Sequence, residues 1–385
     1  MSSTTITYNS KAVKLSRKIH EDICRGEYSA GSLLPAQYEL ALKYHVSRET
    51  LHRSLSILQS EGKIQMVQGR ILVPSAPVEK AVSDGGSLAA APPPTRSERK
   101  LTIAAVWASE PDMFLIEMRK GILQYASEAG LTFKVFLTSG GHEKTLAMLR
   151  NIEQFQIDGV IILPFAHPDY ASVLRQLVGK RFPLVSIDRQ VDSVETSSVE
   201  ADNAAGMYEA VHYLISKYDS PVYYVTSQIE HSVHRDRLEG YRHAMIDAGY
   251  GQAVNDMTCM IEVSDTDPAY WPKERKHLVS VPIVEKLLDQ VTSPINVACL
   301  NDYLAQGVYE AAARRHMVIG RDIRVTGFSD IPLARLLTPG LTTVRQPGKQ
   351  MGYEAAKLLH QLTGGNVKSP VHVHLPVELA ARESA

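Results

Sequence analysis

The run SRETLHRSLSIL occupies residues 47–58. Leu51, Leu55 and Leu58 recur at helical spacing and mark one apolar face, so Arg48, Glu49, His52, Arg53 and Ser56 fall on the others. Ser47 is a residue type that caps helix N-termini, because its hydroxyl accepts from an N–H two or three positions on. A helix laid into the major groove of duplex DNA touches base edges with side chains near its N-terminus, and an arginine there can bind guanine through two donors. The groove-facing set is therefore Ser47, Arg48, Glu49, Thr50, His52 and Arg53. A second set follows at Gln68-Gly69-Arg70. Glycine permits a tight turn there, and the adjacent arginine can reach a phosphate or the minor groove.

The elements that must position these residues surround them. Leu15, Ile19 and Ile23 predict a first amphipathic helix, with Lys11, Lys14, Arg17 and Lys18 on its other faces. Gly26 and Gly31 bracket a turn, and Pro35 suits the first position of a second helix through Tyr44. Ser47 opens a third helix, Gly62 ends it, and residues 64–67 and 71–73 pair as short strands around Gly69. That succession is a winged helix-turn-helix. Residues 1–75 hold ten Lys/Arg against six Asp/Glu, an excess of four, which leaves an acidic excess of five elsewhere because the net charge is −1. A basic module on an acidic body fits phosphate binding by one part of the chain.

Residues 74–100 read PSAPVEKAVSDGGSLAAAPPPTRSERK. The stretch is rich in Ala, Pro, Ser and Gly and lacks apolar periodicity, so it is expected to be a flexible linker. It separates a module at 1–73 from a larger one at 101–385. In the larger module, apolar runs at 101–108, 131–138, 159–164, 183–188, 222–226, 259–263, 296–300 and 324–328 predict strands. Amphipathic segments such as 204–218 and 303–316 lie between them. This alternation predicts an α/β fold with parallel sheets and ligands beyond the carboxyl ends of the strands.

Several function classes lose support at this stage. No apolar run has the length to span a bilayer, and the polar start MSSTTITYNSK is not a signal peptide, so a cytoplasmic protein is expected. Cys24, Cys259 and Cys299 are widely spaced in apolar settings and read as buried thiols. His20-Glu21 and His142-Glu143 lack a second histidine, and no P-loop, dinucleotide fingerprint or nucleophile elbow appears. Neither a metal, a cofactor nor an enzymatic reaction is expected.

Residues 19–70 strongly resemble the GntR-type winged helix. The landmarks are Arg25-Gly26-Glu27-Tyr28, Gly31, Leu34-Pro35, Glu39-Leu40-Ala41, Val46-Ser47-Arg48, Leu58, Glu61-Gly62 and Gln68-Gly69-Arg70. The resemblance implies that Arg48 and its helix neighbours read DNA and that Gly69 shapes the wing. Tyr38 and His52 stand where the family usually has Arg or Asn, and often Arg, at positions that tend to touch DNA. The family's operator sequence therefore does not transfer.

The larger module looks like the effector domain of the lactose/galactose repressor family. Its markers include Asp158-Gly159-Val160, Ser186-Ile187-Asp188-Arg189, Arg235-Asp236-Arg237, Leu300-Asn301-Asp302 and Thr326-Gly327-Phe328-Ser329-Asp330. The joint architecture resembles arabinose-repressor-like regulators. It implies two periplasmic-binding-protein-like α/β subdomains, one about 101–201 with 346–368 and the other about 202–344 with a last strand near 371–379. Three crossovers are implied near 200–203, 343–347 and 368–372. Positions matching Arg237, Asn301 and Ser329 touch the effector in that family, and those matching Ser109, Phe114 and Asp188 line the opposite wall. Most members carry Asp where Ser329 stands, which implies a ligand that is larger, negatively charged or held elsewhere. Trp271 or Tyr270, in the loop 265–277, could stack on a sugar ring or pin that loop to the domain surface, and Asp302 reads as a helix N-cap.

The expectation is a homodimeric regulator of double-stranded operator DNA, a repressor by family habit, with a monosaccharide or derivative as effector and no membrane partner. An activator or a sensor of a non-sugar metabolite fits the same residues. A transport-associated sugar-binding protein or an enzyme on the α/β scaffold fits them less well.

Overall fold

The computed structural model describes residues 11–28, 32, 34–35, 37–47, 50–51, 54–55, 58, 63–67, 70–73, 100–107, 113–138, 142–164, 168–191, 193–228, 232–261 and 278–385. The chain divides into two compact units, Met1–Pro92 and Pro93–Ala385. Of the expected linker only Lys100 is among the described residues.

In the first unit, helix α1 (Lys11–Cys24) buries Leu15 and Ile19. It closes on Gly26, whose φ of 83° is open to glycine without a Cβ clash. Helix α2 (Gln37–Lys43) starts just beyond Pro35 and buries Leu40. Backbone at Thr50, Leu51, Ser54, Leu55 and Leu58 is helical, and the three leucines are buried as their spacing predicts. Strands β1 (Gln65–Val67) and β2 (Arg70–Leu72) pair antiparallel with Val67 opposite Arg70. Leu34 N donates to Ile71 O at 2.7 Å, and Val73 N donates to Ser32 O at 2.9 Å, so Ser32 and Leu34 lie alongside this ribbon. Leu15, Ile19, Leu40, Leu51, Leu58 and Ile71 share one core. Lys43 donates to Glu27 at 2.6 Å and to the Tyr28 hydroxyl at 2.8 Å, tying α2 to the turn after α1.

The second unit contains two six-stranded sheets. The first has the order β4-β3-β5-β6-β7-β13, from β3 (Thr102–Trp107), β4 (Thr132–Leu137), β5 (Gly159–Ile162), β6 (Leu184–Ile187), β7 (Ser197–Ala201) and β13 (His372–Leu375). The second has the order β9-β8-β10-β11-β12-β14, from β8 (Val222–Ser227), β9 (Thr258–Ile261), β10 (Ile295–Cys299), β11 (Ile323–Ser329), β12 (Thr342–Arg345) and β14 (Glu378–Ala380). All pairings are parallel except β12 with β14. Central strands are buried on both faces, which explains their unbroken apolar runs. Alternation is still visible in β3: Ile103, Ala105 and Trp107 enter one core, Ala104 and Val106 the other.

Each sheet is covered in part by a helix that arrives from the other. Helix α6 (Asn203–Tyr218) follows β7 of the first sheet, yet its Met207, Ala210, Val211 and Leu214 enter the core of the second. Helix α11 (Gly348–Thr363) follows β12 of the second sheet and puts Met351, Ala355 and Leu359 into the core of the first. Glycines allow these exchanged helices to approach their neighbours. A Cβ on Gly121 of α3 (Met113–Glu128) would lie 1.8 Å from Lys349 O, and one on Gly240 of α7 (Ser232–Asp247) would lie 2.1 Å from Ala204 O. The remaining helices are α4 (His142–Arg150), α5 (Pro168–Gly179), α8 (Val281–Leu288), α9 (Asp302–Arg314) and α10 (Pro332–Leu336).

Three expectations are corrected. The single last strand near 371–379 is two strands, β13 in the first sheet and β14 in the second. Pro376 between them lacks an N–H and cannot continue a ladder, so the crossover falls there and not at 368–372. The helix N-cap is Asn301 and not Asp302, which is already helical. The thiols are not uniformly buried: Cys299 is, Cys259 is half-buried, and Cys24 is exposed. Among the described residues, no helix is long and apolar enough to cross a membrane, and no cluster of His, Cys, Asp or Glu is placed to hold a metal.

Candidate functional site

In the first unit, Ser47 makes the cap expected of it. Its hydroxyl accepts from Thr50 N at 3.3 Å and meets Thr50 Oγ1 at 2.9 Å, while its carbonyl accepts from Leu51 N at 3.0 Å. The N-terminus of the third helix is thereby fixed against a core built from its own leucines. Tyr38 lies on α2 and Arg70 opens β2. Arg48, Glu49, His52, Arg53, Gln68 and Gly69 lie outside the described residues.

In the second unit, strand ends from both sheets converge. Asp188 follows β6 with φ 68°, a left-handed backbone that disfavours most side chains, and its Oδ2 accepts from Arg189 Nε at 3.3 Å. Arg237 is buried on α7. Its Nε donates to Asn203 Oδ1 at 2.9 Å, its Nη1 donates to Leu300 O at 2.7 Å, and its guanidinium lies 3.7 Å from the centre of the Phe328 ring. Burial lowers its pKa to about 10, against the opposing pull of the Asp188 charge, so the side chain stays cationic at neutral pH. Asn301 directly follows Leu300 and caps α9, its Oδ1 accepting from Leu304 N at 3.0 Å. The cap fixes the side chain through that oxygen and leaves the amide Nδ2 as a donor for a ligand. Gln190 N donates to Ser232 Oγ at 3.0 Å, joining the loop after β6 to the start of α7.

A second cluster holds the turn after β11. Ser329 and Asp330 both have positive φ, 119° and 49°, and such strain persists only where surroundings enforce it. Asp302 is buried; its carboxylate accepts from Ile331 N at 2.9 Å and Thr343 Oγ1 at 2.5 Å. Burial pushes its pKa up to about 7, partly opposed by those two hydrogen bonds. Asp330 accepts from Arg345 Nε at 2.7 Å and from Arg382 Nη2 at 2.5 Å, with Arg335 at 3.4 Å. Burial raises the Asp330 pKa, but the guanidinium hydrogen bonds outweigh it and hold the carboxyl below its usual range. Ser329 donates to Gln346 Oε1 at 2.9 Å.

Of the expected ligand residues, Asp188, Arg237 and Asn301 therefore gather at one group of strand ends. Phe114 and Ser329 line a pocket of about 770 Å³ next to it, between α3, the 329–335 segment and the start of α11. Strand β11 links the two places, since Phe328 lies under Arg237 and Ser329 faces the pocket. Ser109 and Trp271 lie outside the described residues. Asn203, Asp302, Asp330 and Gln346 were not expected as cleft residues. Asn203 and Asp302 adjoin motifs visible in sequence, whereas nothing local distinguishes Gln346 from any other polar residue after a strand.

Comparison with known proteins agrees with both units. Residues 11–71 match the bacterial regulatory proteins of the gntR family, and residues 210–385 match the periplasmic binding protein-like domain. The chain joins a gntR-family helix-turn-helix domain to a periplasmic-binding-protein-like domain. It is 27% identical over 288 residues to the HTH-type transcriptional regulator DegA of Bacillus subtilis, covering 74% of this chain and 81% of that one. It is 27% identical over 265 residues to the ribose operon repressor of Escherichia coli K12, covering 68% and 76%. A LacI family regulator from Enterococcus faecium with bound ribose superposes with a TM-score of 0.60 at 21% identity, over 74% of this chain and 98% of that one. The fold of the second unit is thus that of LacI-type effector domains.

Proposed function

We propose that this chain is a ligand-responsive transcriptional repressor, which binds operator DNA as a homodimer and changes its affinity when a sugar or sugar-like effector enters the cleft. One observation carries the reading: a DNA-binding family domain and a cleft built around a buried arginine share one chain. The similar proteins are transcription regulators, so no catalytic step is assigned. A ribose operon repressor among them, and ribose bound to a structural neighbour, support a sugar as effector.

The DNA-facing residues are Tyr38, Ser47, Arg48, Glu49, Thr50, His52, Arg53, Gln68, Gly69 and Arg70, within a module at 1–73. The linker is 74–100, and the sensor is 101–385. In the sensor, Arg237 and Asn301 supply donors to ligand hydroxyls, Asp188 supplies an acceptor, and Ser109, Phe114, Trp271 and Ser329 complete the walls. Such a protein works in the cytoplasm, where its DNA is. Mobility shift of the full chain against promoter fragments of its own genome tests the reading. One fragment is expected to be retained preferentially, and Arg48→Ala is expected to weaken that retention roughly tenfold or more while leaving sugar binding unchanged. Equal retention of all fragments overturns it.

A further inference from the structure

The pocket beside Ser329 has a wall chemistry unlike that around Arg237. Its floor is the N-terminus of α11, a 16-residue helix. Pro347 stands at the N-cap and offers no side-chain acceptor, so no cap satisfies the first-turn N–H groups of Lys349 and Gln350, both of which line the pocket. Gly348 brings this backbone against Phe114, since a Cβ there would lie 3.0 Å from the ring. Helix N-termini carry partial positive charge and free donors, the combination that binds anions.

A second observation is independent of the helix. Gln346 is 6% exposed and lines the same pocket. The Ser329 hydroxyl engages its Oε1, which leaves Nε2 a buried donor with no hydrogen-bond partner in the protein. A buried donor without an acceptor is costly, and an incoming oxygen would remove that cost.

The side-chain charges agree. Arg335 and Lys349 line the pocket. Arg335 shares the single Asp330 carboxylate with Arg345 and Arg382, so guanidinium outnumbers carboxylate there even after Glu378 pairs with Arg345 at 3.1 Å. Glu117 and Glu354 also line the pocket, and each is paired with a lysine, Glu117 with Lys120 at 2.6 Å and Glu354 with Lys357 at 3.2 Å. Ser329 presents a neutral hydroxyl, so that wall does not repel an anion.

We propose that the effector carries an acidic group, a phosphate ester or a carboxylate on a carbohydrate frame, and that this group docks on the α11 N-terminus between Gln346, Lys349 and Arg335. The inference rests on the sugar-effector reading and narrows it. Hydroxyls of the same molecule would reach Asn301 and Arg237 past the end of β11.

The test measures binding of ribose, ribose 5-phosphate and inorganic phosphate to the full chain by calorimetry and thermal shift. Ribose 5-phosphate is expected to bind roughly tenfold or more tighter than ribose, with millimolar inorganic phosphate competing, as charge-assisted hydrogen bonds at a helix N-terminus require. Lys349→Glu and Arg335→Glu are expected to erase that advantage while ribose affinity holds; both side chains are exposed, and melting curves verify folding. Lys349→Gln, which only removes the charge, is expected to give a partial loss. Equal affinity for ribose and its phosphate, or an advantage that survives Lys349→Glu, overturns the inference and leaves the sugar reading standing. Absence of binding by all three probes overturns both.

Discussion

Strand for strand, the order β4-β3-β5-β6-β7-β13 of one sheet matches β9-β8-β10-β11-β12-β14 of the other. Each half receives a helix from its counterpart. Both halves bury polar groups, and they differ in what those groups hold. The first places Ser197, Ser198 and Glu200 within β7, where Ser198 Oγ donates to Glu200 Oε1 at 2.8 Å and meets His372 Nδ1 at 3.0 Å. These groups knit the strand to its edge neighbour β13. The second sets Arg237, Asp302 and Asp330 beside its strand ends, where Arg237 donates to Leu300 O, Asp302 accepts from Ile331 N and Asp330 accepts from Arg345 Nε. Buried charge is expensive to strand alone, so a half that concentrates it at its strand ends has a cleft wall fixed before any ligand arrives. The same scaffold thus yields one half stitched through its edge and one half preorganised at its mouth.

The largest expected effects test the likeness of the halves. Gly121→Val and Gly240→Val each force a side chain into a backbone carbonyl of an exchanged helix. Each is expected to destabilise the chain by about 3 kcal/mol or more, beyond the usual cost of overpacking because the obstructing atom is backbone. Urea denaturation measures both. If Gly240→Val is tolerated while Gly121→Val is not, the two exchanges are not equivalent.

Arg237→Met tests the contrast between the halves. It removes the donors to Leu300 O and Asn203 Oδ1, so stability is expected to fall by about 1–3 kcal/mol. Sugar binding by calorimetry is expected to weaken roughly a hundredfold, as for loss of a charged double donor. Unchanged sugar affinity in a folded Arg237→Met protein removes the preorganised mouth from the account.

A smaller effect is set by Asp302. Its carboxyl is held near pKa 7 in the folded chain, above its value of 3.8 when unconstrained. Between those values the folded state binds the extra proton, so this group's contribution to stability is full below about pH 4 and is lost as pH rises toward 7. Asp302→Asn, which mimics the protonated form, is expected to gain stability relative to the parent chain as pH goes from 4 to 7. Thermal melts across that window measure the difference, and a constant offset contradicts the assignment.

Much of this organisation is legible in the amino-acid sequence. Apolar runs announce β3, β5, β6, β10 and β11 because strands buried on both faces need no alternation. Leu51, Leu55 and Leu58 announce the helix that Ser47 caps. Strand β7 escapes such a reading because its sequence is SSVEA: three of its five residues are polar, buried and hydrogen-bonded to partners that are distant in the chain, such as His372. The exchange of α6 and α11 is equally hidden, since an amphipathic stripe shows that a helix is buried but not against which sheet. Arg237, Asn301 and Asp188 stand at neighbouring strand ends of the two sheets. The division of labour between Asn301 as cap and Asp302 as clamp depends on Ile331 N and Thr343, which only the fold brings near.

The proposed function requires that filling the cleft of the second unit change how the first unit binds DNA. Fluorescence anisotropy of the full chain on its preferred promoter fragment, at fixed salt, with and without a saturating sugar ligand, tests it directly. Operator affinity is expected to change at least fivefold on saturation, the scale of ordinary allosteric coupling. An affinity that stays the same while calorimetry shows the cleft occupied contradicts the account.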